Sequence, residues 1–260
     1  MPARAAIEVD SLTLAFISRE KATLVLQDVS FSAPEGCFVA LLGPSGCGKS
    51  TLLHTIAGLL TPTRGEVRLF GKPVRGPSPA VGIMFQQDYL LPWRTVAGNV
   101  QLAWELRRER PKPERLYALL EEVDLRDAAH RYPQELSGGM RQRAALVRTL
   151  VTDPAVLLLD EPFSALDYTT RLRLGELVHT VLRRHRKTAL FVTHDIPEAI
   201  SLADRILLMG RNPGRIVATF VPPPELAQKP PLARRTDPAF PRLFERIWEE
   251  MRRVEDERPA

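Results

Sequence analysis

Val39-Ala-Leu-Leu-Gly-Pro-Ser-Gly-Cys-Gly-Lys-Ser-Thr51 is the stretch from which the rest of the chain can be read. Four apolar residues, the length of a short buried strand, run into a glycine-rich turn that matches G-x-x-x-x-G-K-[ST] in full, and a helical pattern follows over about 50–60. Glycines in the turn let backbone N–H groups point inward at phosphate oxygens, and the helix N-terminus adds a positive dipole. Gly43, Pro44, Ser45, Gly46, Cys47, Gly48, Lys49, Ser50 and Thr51 are therefore the candidate nucleotide-binding residues. Lys49 is a point charge for the β- and γ-phosphates, and the Ser50 hydroxyl can ligate Mg²⁺. The bland alternative, a glycine turn with a chance lysine, does not explain why strand, turn and helix come in this order. The loop calls for a nucleotide without saying which kind of machine uses it.

A second stretch, Val156-Leu-Leu-Leu-Asp-Glu161, is an apolar strand that delivers two acids at its C-terminal end, where ligands sit in open α/β sheets. Asp160 can hold the Mg²⁺ shell. Glu161, one residue on, can orient and deprotonate a water aimed at the γ-phosphate. Strand ends often carry acids, so the pair gains its meaning from the phosphate loop. A third apolar run spans 190–193, and all three are flanked by helical pattern, as in a parallel sheet covered on both faces.

Around these runs, residues 7–38 read as short strands separated by polar turns, with Val25, Val29 and Phe31 at the apolar positions. A helix over 168–185 places Leu172, Val178 and Leu182 on one side. Residues 91–150 are helical in period, with Pro113 at a helix start and Leu116, Leu119, Leu120 and Val123 on one face, and read as an inserted lobe. Stretches 205–209 and 215–221 are closing strands, and 222–231 is a proline-rich extended connector. Phe240, Leu243, Phe244, Ile247, Trp248 and Met251 then form an amphipathic stripe on a terminal helix expected to pack on its own domain.

Composition narrows the function classes. Hydrophobic residues at 44% and charged residues at 26% supply a normal core, so disorder over the whole chain is not expected. No stretch has the roughly 18–20 uncharged apolar residues that cross a bilayer, and residues 1–10 lack a secretory layout, so the protein is expected in the cytosol. Cys37 and Cys47 fit neither a disulfide framework nor a zinc spacing. The net charge of +5 comes partly from basic runs at 107–110 and 183–187, which fall at helix ends where cations complement the dipole. No aromatic residues interleave with them as a nucleic-acid platform requires, so no nucleic acid is expected as a partner.

Leu136-Ser-Gly-Gly-Met-Arg-Gln142 reads by itself as a helix start with Ser137 as cap. Between a phosphate loop and the Leu-Leu-Leu-Asp-Glu-Pro strand, it resembles the signature of ABC ATPases. The resemblance implies that Ser137, Gly138, Gly139 and Gln142 face ATP held by another subunit, in a head-to-tail homodimer with two ATP molecules at the interface. Gln86, after Met84-Phe85 and with Gln87 adjacent, resembles the glutamine of the loop linking the Mg²⁺ site to the helical lobe. Ser164-Ala-Leu-Asp167 resembles the D-loop that crosses the interface, with Asp167 acting in trans. His194, in Phe-Val-Thr-His-Asp195, resembles the switch histidine on the γ-phosphate. Phe16 is the candidate aromatic under adenine, in competition with a core role, because 17–23 form a loop of uncertain length.

The similarity covers about 7–220. It implies an α/β fold: a P-loop NTPase core of mostly parallel sheet flanked by helices, an antiparallel β subdomain, and an α-helical lobe inserted at about 91–150. Residues 221–260 form the proline-rich connector and C-terminal amphipathic helix. The implied catalytic residues are Glu161, His194 and Lys49, with ATP and Mg²⁺ bound and the metal held by Ser50, Gln86 and Asp160. Implied partners are integral membrane permease subunits and, indirectly, an extracytoplasmic solute-binding protein, with this chain peripheral at the cytoplasmic face of the membrane. Leu90-Leu-Pro-Trp93, the run 136–143 and Gly210-Arg-Asn-Pro-Gly-Arg-Ile216 together resemble importers of nitrate, sulfonates, taurine and related small anions; importers of thiamine-precursor pyrimidines are similar there. Soluble ABC-type ATPases acting on nucleic acid or ribosomes are the rival class. They usually carry a long coiled-coil insertion or tandem nucleotide domains, whereas this chain has one phosphate loop and no sustained heptads over 91–150. A P-loop kinase or GTPase leaves the signature motif unexplained.

Overall fold

The computed structural model describes residues 4–17 and 22–256. Along the chain, β1 (Ala5–Ile17) and β2 (Ala22–Pro34) precede β3 (Phe38–Leu42) and α1 (Lys49–Ile56), followed by β4 (Arg64–Leu69), β5 (Lys72–Pro73) and β6 (Val81–Met84). Helices α2 (Val96–Arg107), α3 (Pro113–Glu122) and α4 (Gly138–Leu150) come next. The chain then alternates through β7 (Val156–Asp160), α5 (Tyr168–Arg184), β8 (Thr188–Thr193) and α6 (Ile196–Leu202) to β9 (Arg205–Gly210) and β10 (Arg215–Phe220). Helices α7 (Pro224–Ala227), α8 (Pro231–Arg234) and α9 (Ala239–Asp256) end the described chain.

Two sheets result, a mostly parallel one in the order β10-β9-β3-β8-β7-β6 and an antiparallel one in the order β2-β1-β4-β5. The parallel sheet is explained by its sequence: β3 is buried at every position, as a strand covered on both faces must be. Successive side chains point to opposite faces, so one strand feeds two cores. Phe38, Ala40 and Leu42 join Leu157, Leu159, Ala189 and Phe191 in the core under α4, α5, α6 and α9. Val39 and Leu41 join Val156, Leu158, Leu190 and Val192 in the core closed by α1 and the antiparallel sheet. The sheets are stitched where Gly214 N–H donates to the Val25 carbonyl at 2.8 Å and Gln27 N–H donates to the Gly214 carbonyl at 3.0 Å. A Cβ at Gly214 would lie 2.2 Å from the Cys47 carbonyl oxygen, so the backbone passes too close beneath the phosphate loop for any side chain.

Several elements differ from the sequence expectation. Where several short strands are expected over 7–38, two strands of 13 residues each, β1 and β2, lie within 5–34. The polar pairs Asp10-Ser11 and Gln27-Asp28, which look like turns, lie at irregularities in the ladder: Ser11 and Asp28 have φ of 49° and 48°, and pairing shifts register after Val9 and again around Leu12. Strands β4, β5 and β6 are short and lie where the sequence reading places no element, although Val67 and Leu69 of β4 alternate with exposed or half-buried polar neighbours. The connector over 222–231 is not extended throughout, because prolines at the first helical position, where no N–H is missed, open α7 and α8. In α5 the core face is Leu174, Val178, Val181 and Leu182, with Leu172 only half-buried beside it. Pro113 opens α3 and buries Leu116, Leu119, Leu120 and Val123, as the pattern requires.

Candidate functional site

Parallel pairing of β3 with β8 and of β8 with β7 brings three strand ends together, and each end delivers chemistry. From β3 comes the phosphate loop. Gly46 and Gly48 adopt φ of 79° and 95°, open to glycine at no steric cost, and Gly48 is the N-cap of α1. A Cβ on Gly43 would meet the Met209 carbonyl oxygen at 2.6 Å, so the loop is also pressed onto β9. Ser45, Gly46 and Ser50 are exposed along the loop, Thr51 is half-buried, and Pro44 and Cys47 are buried beneath it. Lys49 is 5% exposed, and its Nζ donates to the Gly43 and Pro44 carbonyls at 2.8 Å each. The ammonium therefore sits inside the curl of the loop.

From β7 come the acids. The Ser50 hydroxyl donates to Asp160 Oδ1 at 2.9 Å, across 110 residues of sequence. Burial pushes the Asp160 carboxyl up, against the Ser50 hydrogen bond and the nearby His54 and Lys49 charges. A hydroxyl and a carboxylate in contact beside a phosphate loop are a hard-oxygen donor set, which suits Mg²⁺. Glu161 has φ of 44°, a left-handed conformation uncommon for a non-glycine residue. Its N–H donates to the Val192 carbonyl at 3.2 Å, and its carbonyl accepts the Ser164 hydroxyl at 3.0 Å. That turn aims Glu161 Oε2 at His194 Nδ1, 3.3 Å away at the end of β8. Lys49, Ser50, Asp160, Glu161 and His194, scattered over 146 positions of sequence, thus share one surface.

The remaining candidates lie around it. Phe16 is 48% exposed on β1, opposite Thr23, which leaves its ring face free of the core; residues 18–21 of the adjoining loop lie outside the described residues. Ser137 caps α4, its hydroxyl accepting the Met140 N–H at 3.3 Å, and it is exposed. Gly138 and Gly139 sit against Leu166 and Thr170; a Cβ on Gly139 would meet Thr170 Cγ2 at 2.7 Å. Asp167 caps α5 by accepting the Thr170 N–H at 3.0 Å, and this backbone hydrogen bond holds its carboxyl below the usual range. Gln142 departs from the expectation that it faces another copy. It is buried, and its Nε2 donates at 3.1 Å to the carbonyl of Gln86 in its own chain. Gln86 and Gln87 are both exposed.

Residues that motif spacing does not flag complete the surroundings. Arg148 of α4 donates from Nη1 to the Tyr89 carbonyl and from Nη2 to the Asp88 carbonyl, both at 2.6 Å. Arg141 pairs with Asp88 at 3.1 Å. The helix that begins with Ser137 therefore grips the loop that carries Gln86. Arg171 bridges two further segments, donating from Nη2 to the Leu166 carbonyl at 3.3 Å while its Nη1 lies 3.5 Å from Asp195 Oδ2.

Behind His194, Glu198 is buried with the Thr193 hydroxyl as partner, and burial pushes its carboxyl up to about 7. An unfolded glutamate releases its proton near 4.5. The folded group thus binds its proton more tightly, so its contribution to stability is full below 4.5 and is lost as pH rises through about 7. Glu198→Gln carries no charge to desolvate. The melting temperature of Glu198→Gln minus that of wild type is expected to become more positive between about pH 5 and about pH 8. A difference that stays flat over that interval would mean Glu198 is ionised and paired.

Known proteins are similar to this chain in sequence and fold. A family described as "ABC transporter" matches residues 26–164. The chain is 45% identical over 251 residues, 96% of either chain, to the ABC transporter ATP-binding protein YtlC of Bacillus subtilis (strain 168). It is 47% identical over 238 residues, 89% of this chain and 86% of the relative, to the aliphatic sulfonates import ATP-binding protein SsuB 2 of Burkholderia lata. Among solved structures it superposes, with a TM-score of 0.72 and 30% identity over 83% of this chain and 98% of the other, on a dimeric ATP-binding cassette in a post-hydrolysis state bound to ADP and Pi.

Proposed function

Because the chain belongs to the ABC transporter family, as an ATP-binding and ATP-hydrolysing subunit, we propose that it powers import of an aliphatic sulfonate such as taurine through a separate membrane permease. Residues 7–220 act as the ATPase domain, with the helical lobe over 91–150 inserted in it, and 221–260 as an appended segment. Two copies bind two ATP molecules between them. In each site Lys49 meets the β- and γ-phosphates, the loop residues 43–51 wrap them, and Phe16 lies under adenine. Ser50, Gln86 and Asp160 would hold Mg²⁺, which neutralises phosphate charge when bound. Glu161 orients a water and takes its proton, and His194 orients the γ-phosphate. Ser137, Gly138, Gly139 and Asp167 of the other copy complete the site. The Glu161–His194 contact at 3.3 Å, beside the Ser50–Asp160 pair, supports the hydrolytic assignment most directly.

Docking to a permease is supported by an apolar groove lined by Phe85, Tyr89, Leu102, Ala103 and Leu106, next to the loop that Arg148 grips. Tyr89 and Leu106 present large apolar surface in it, and Trp93, four residues on from Tyr89, is 70% exposed; that is more than an isolated subunit needs to leave in water. No helix among the described residues is long and apolar enough to cross a membrane. The proposed place is peripheral, at the cytoplasmic face, with an extracytoplasmic binding protein delivering the sulfonate to the permease. The sulfonate assignment comes from the SsuB likeness, because an ATPase of this kind touches the permease and not the cargo.

The test is reconstitution with permease and binding protein in proteoliposomes, reading ATP hydrolysis with and without sulfonate. Sulfonate is expected to stimulate hydrolysis. Trp93→Ala should weaken assembly by about 2 kcal/mol, roughly 30-fold, and abolish stimulation while basal hydrolysis of the isolated chain holds. Stimulation by a pyrimidine or sugar and by no sulfonate would reject the cargo. Loss of basal hydrolysis in Trp93→Ala would mean that this exposed residue supports the ATPase domain itself and not a permease contact.

A further inference from the structure

We infer that Arg234 is a positioning residue for His194: the C-terminal segment from α7 to α9 braces α6, the helix that starts immediately after His194. The inference rests on His194 being the residue that orients the γ-phosphate. Helix α6 has seven residues, about 10 Å of rise. Alone it is far shorter than the roughly 12–15 residues at which helices become marginal in water, so its order must come from packing. Six of its seven residues are buried. The faces that bury them belong to β3, β8 and α5 of the ATPase domain and to α8 and α9 of the C-terminal segment. Leu243, Ile247, Met251 and Val254 of α9 share one core with Ile196, Ala199, Ile200 and Leu202 of α6.

Arg234 fixes the far end. A helix leaves its last carbonyls without partners, and here those of Ile200 and Ala203 accept Arg234 Nη1 at 3.3 and 2.8 Å. The same guanidinium donates from Nη2 to the Ala227 carbonyl at 2.8 Å and from Nε to the Lys229 carbonyl at 3.0 Å. One side chain, 1% exposed, thus ties α6 to the loop on which α7 and α8 are built. Its charge also complements the dipole at the helix C-terminus. The near end is held separately, where Asp195 Oδ1 caps α6 by accepting the Glu198 N–H at 2.8 Å while Asp195 Oδ2 faces Arg171. With both ends held, a rigid short helix sets where His194 leaves β8. Releasing Arg234 strips two carbonyls of their donor and frees α6 to tilt, and His194 moves with it. Stability and hydrolysis then become separable consequences of a residue far from the nucleotide.

The test uses Arg234→Lys and Arg234→Met in the full chain, with three readouts: kcat per ATP-bound chain, ATP affinity, and the His194 ring NMR resonance assigned by its disappearance in His194→Ala. Arg234→Met is expected to lower kcat on the order of ten- to a hundredfold, as small misplacements of a catalytic group do, with ATP affinity within about twofold. The His194 resonance should shift and broaden while those of His54 and His130 stay. Arg234→Lys, which can reach only some of the four carbonyls, should fall between and serves if the methionine variant does not fold. Wild-type kcat and an unmoved His194 resonance in either variant, with only the melting temperature lowered, would reduce the segment to passive scaffold. A parallel fall in ATP affinity would likewise reject a positioning role. If His194→Ala itself hydrolyses ATP at the wild-type rate, the assignment of His194 fails, a result distinct from failure of the brace.

Discussion

Lys49→Ala is expected to lose most ATP affinity and to keep its fold. The ammonium faces the densest charge of the nucleotide, and no neighbouring cation in the phosphate loop can replace it, since Arg and Lys are otherwise absent from 43–51. In the structure the same ammonium is held by the Gly43 and Pro44 carbonyls. Alanine leaves those carbonyls to water entering from the exposed Ser45–Gly46 side, a small perturbation next to losing a phosphate contact. A ligand at about 100 times its Kd stabilises a protein by roughly 2.7 kcal/mol, which for a chain of this size raises Tm by about 5–10 °C. Wild type with Mg-ATP should show that shift, and Lys49→Ala at the same concentration should show little of it. Melting curves without nucleotide supply the control for folding. An equal shift in both proteins would mean the ammonium does not contact the phosphates.

The phosphate loop was legible in sequence because its backbone geometry is imposed by its own residues. Glycines stand where φ reaches 79° and 95°, and strand and helix flank them within a few positions. The acids at the end of β7 were legible for a similar reason, since a buried strand must end where polarity resumes. That His194 would belong to the same site rested on likeness to a family and not on spacing, and its contact with Glu161 is visible only in the structure. Arg148, Arg171 and Glu198 were invisible. Arg148 reaches the carbonyls of residues 59 and 60 positions away, and arginine on a helix surface reads the same whether it meets water or a loop. Gln142 was placed facing outward on motif alone, and burial turned it toward Gln86. In the fold, the long strands β1 and β2 were hidden by their irregularities, because a polar residue at positive φ has the composition of a turn. The prolines of 222–231 concealed helices for the complementary reason: composition cannot distinguish a proline that opens a helical turn from one that extends a linker.

Glu161→Gln should separate hydrolysis from binding. Glutamine is nearly isosteric, so the turn held by the Val192 and Ser164 hydrogen bonds is kept, and its amide can still meet His194. It cannot accept a proton at neutral pH, and loss of a positioned base lowers rates by about 10² to 10⁴. Removing a negative charge from beside the γ-phosphate relieves repulsion, so ATP affinity should hold or rise. The consequence reaches the other copy. Ser137 is exposed at the N-terminus of α4, with Gly138 and Gly139 behind it. That is an anion-binding end of a helix, and in the proposed dimer it meets the same γ-phosphate. Slow hydrolysis should therefore trap the closed pair. Light scattering on the variant with ATP should report a mass near twice 29.2 kDa, persisting longer than in wild type. Adding Ser137→Arg places a bulky side chain where the phosphate must approach and should return the variant to monomer. Hydrolysis by Glu161→Gln at the wild-type rate would remove Glu161 as the base. An inactive variant that stays monomeric with ATP would retain the base and overturn the shared site, because a trapped γ-phosphate that draws in no second copy is not being gripped from both sides.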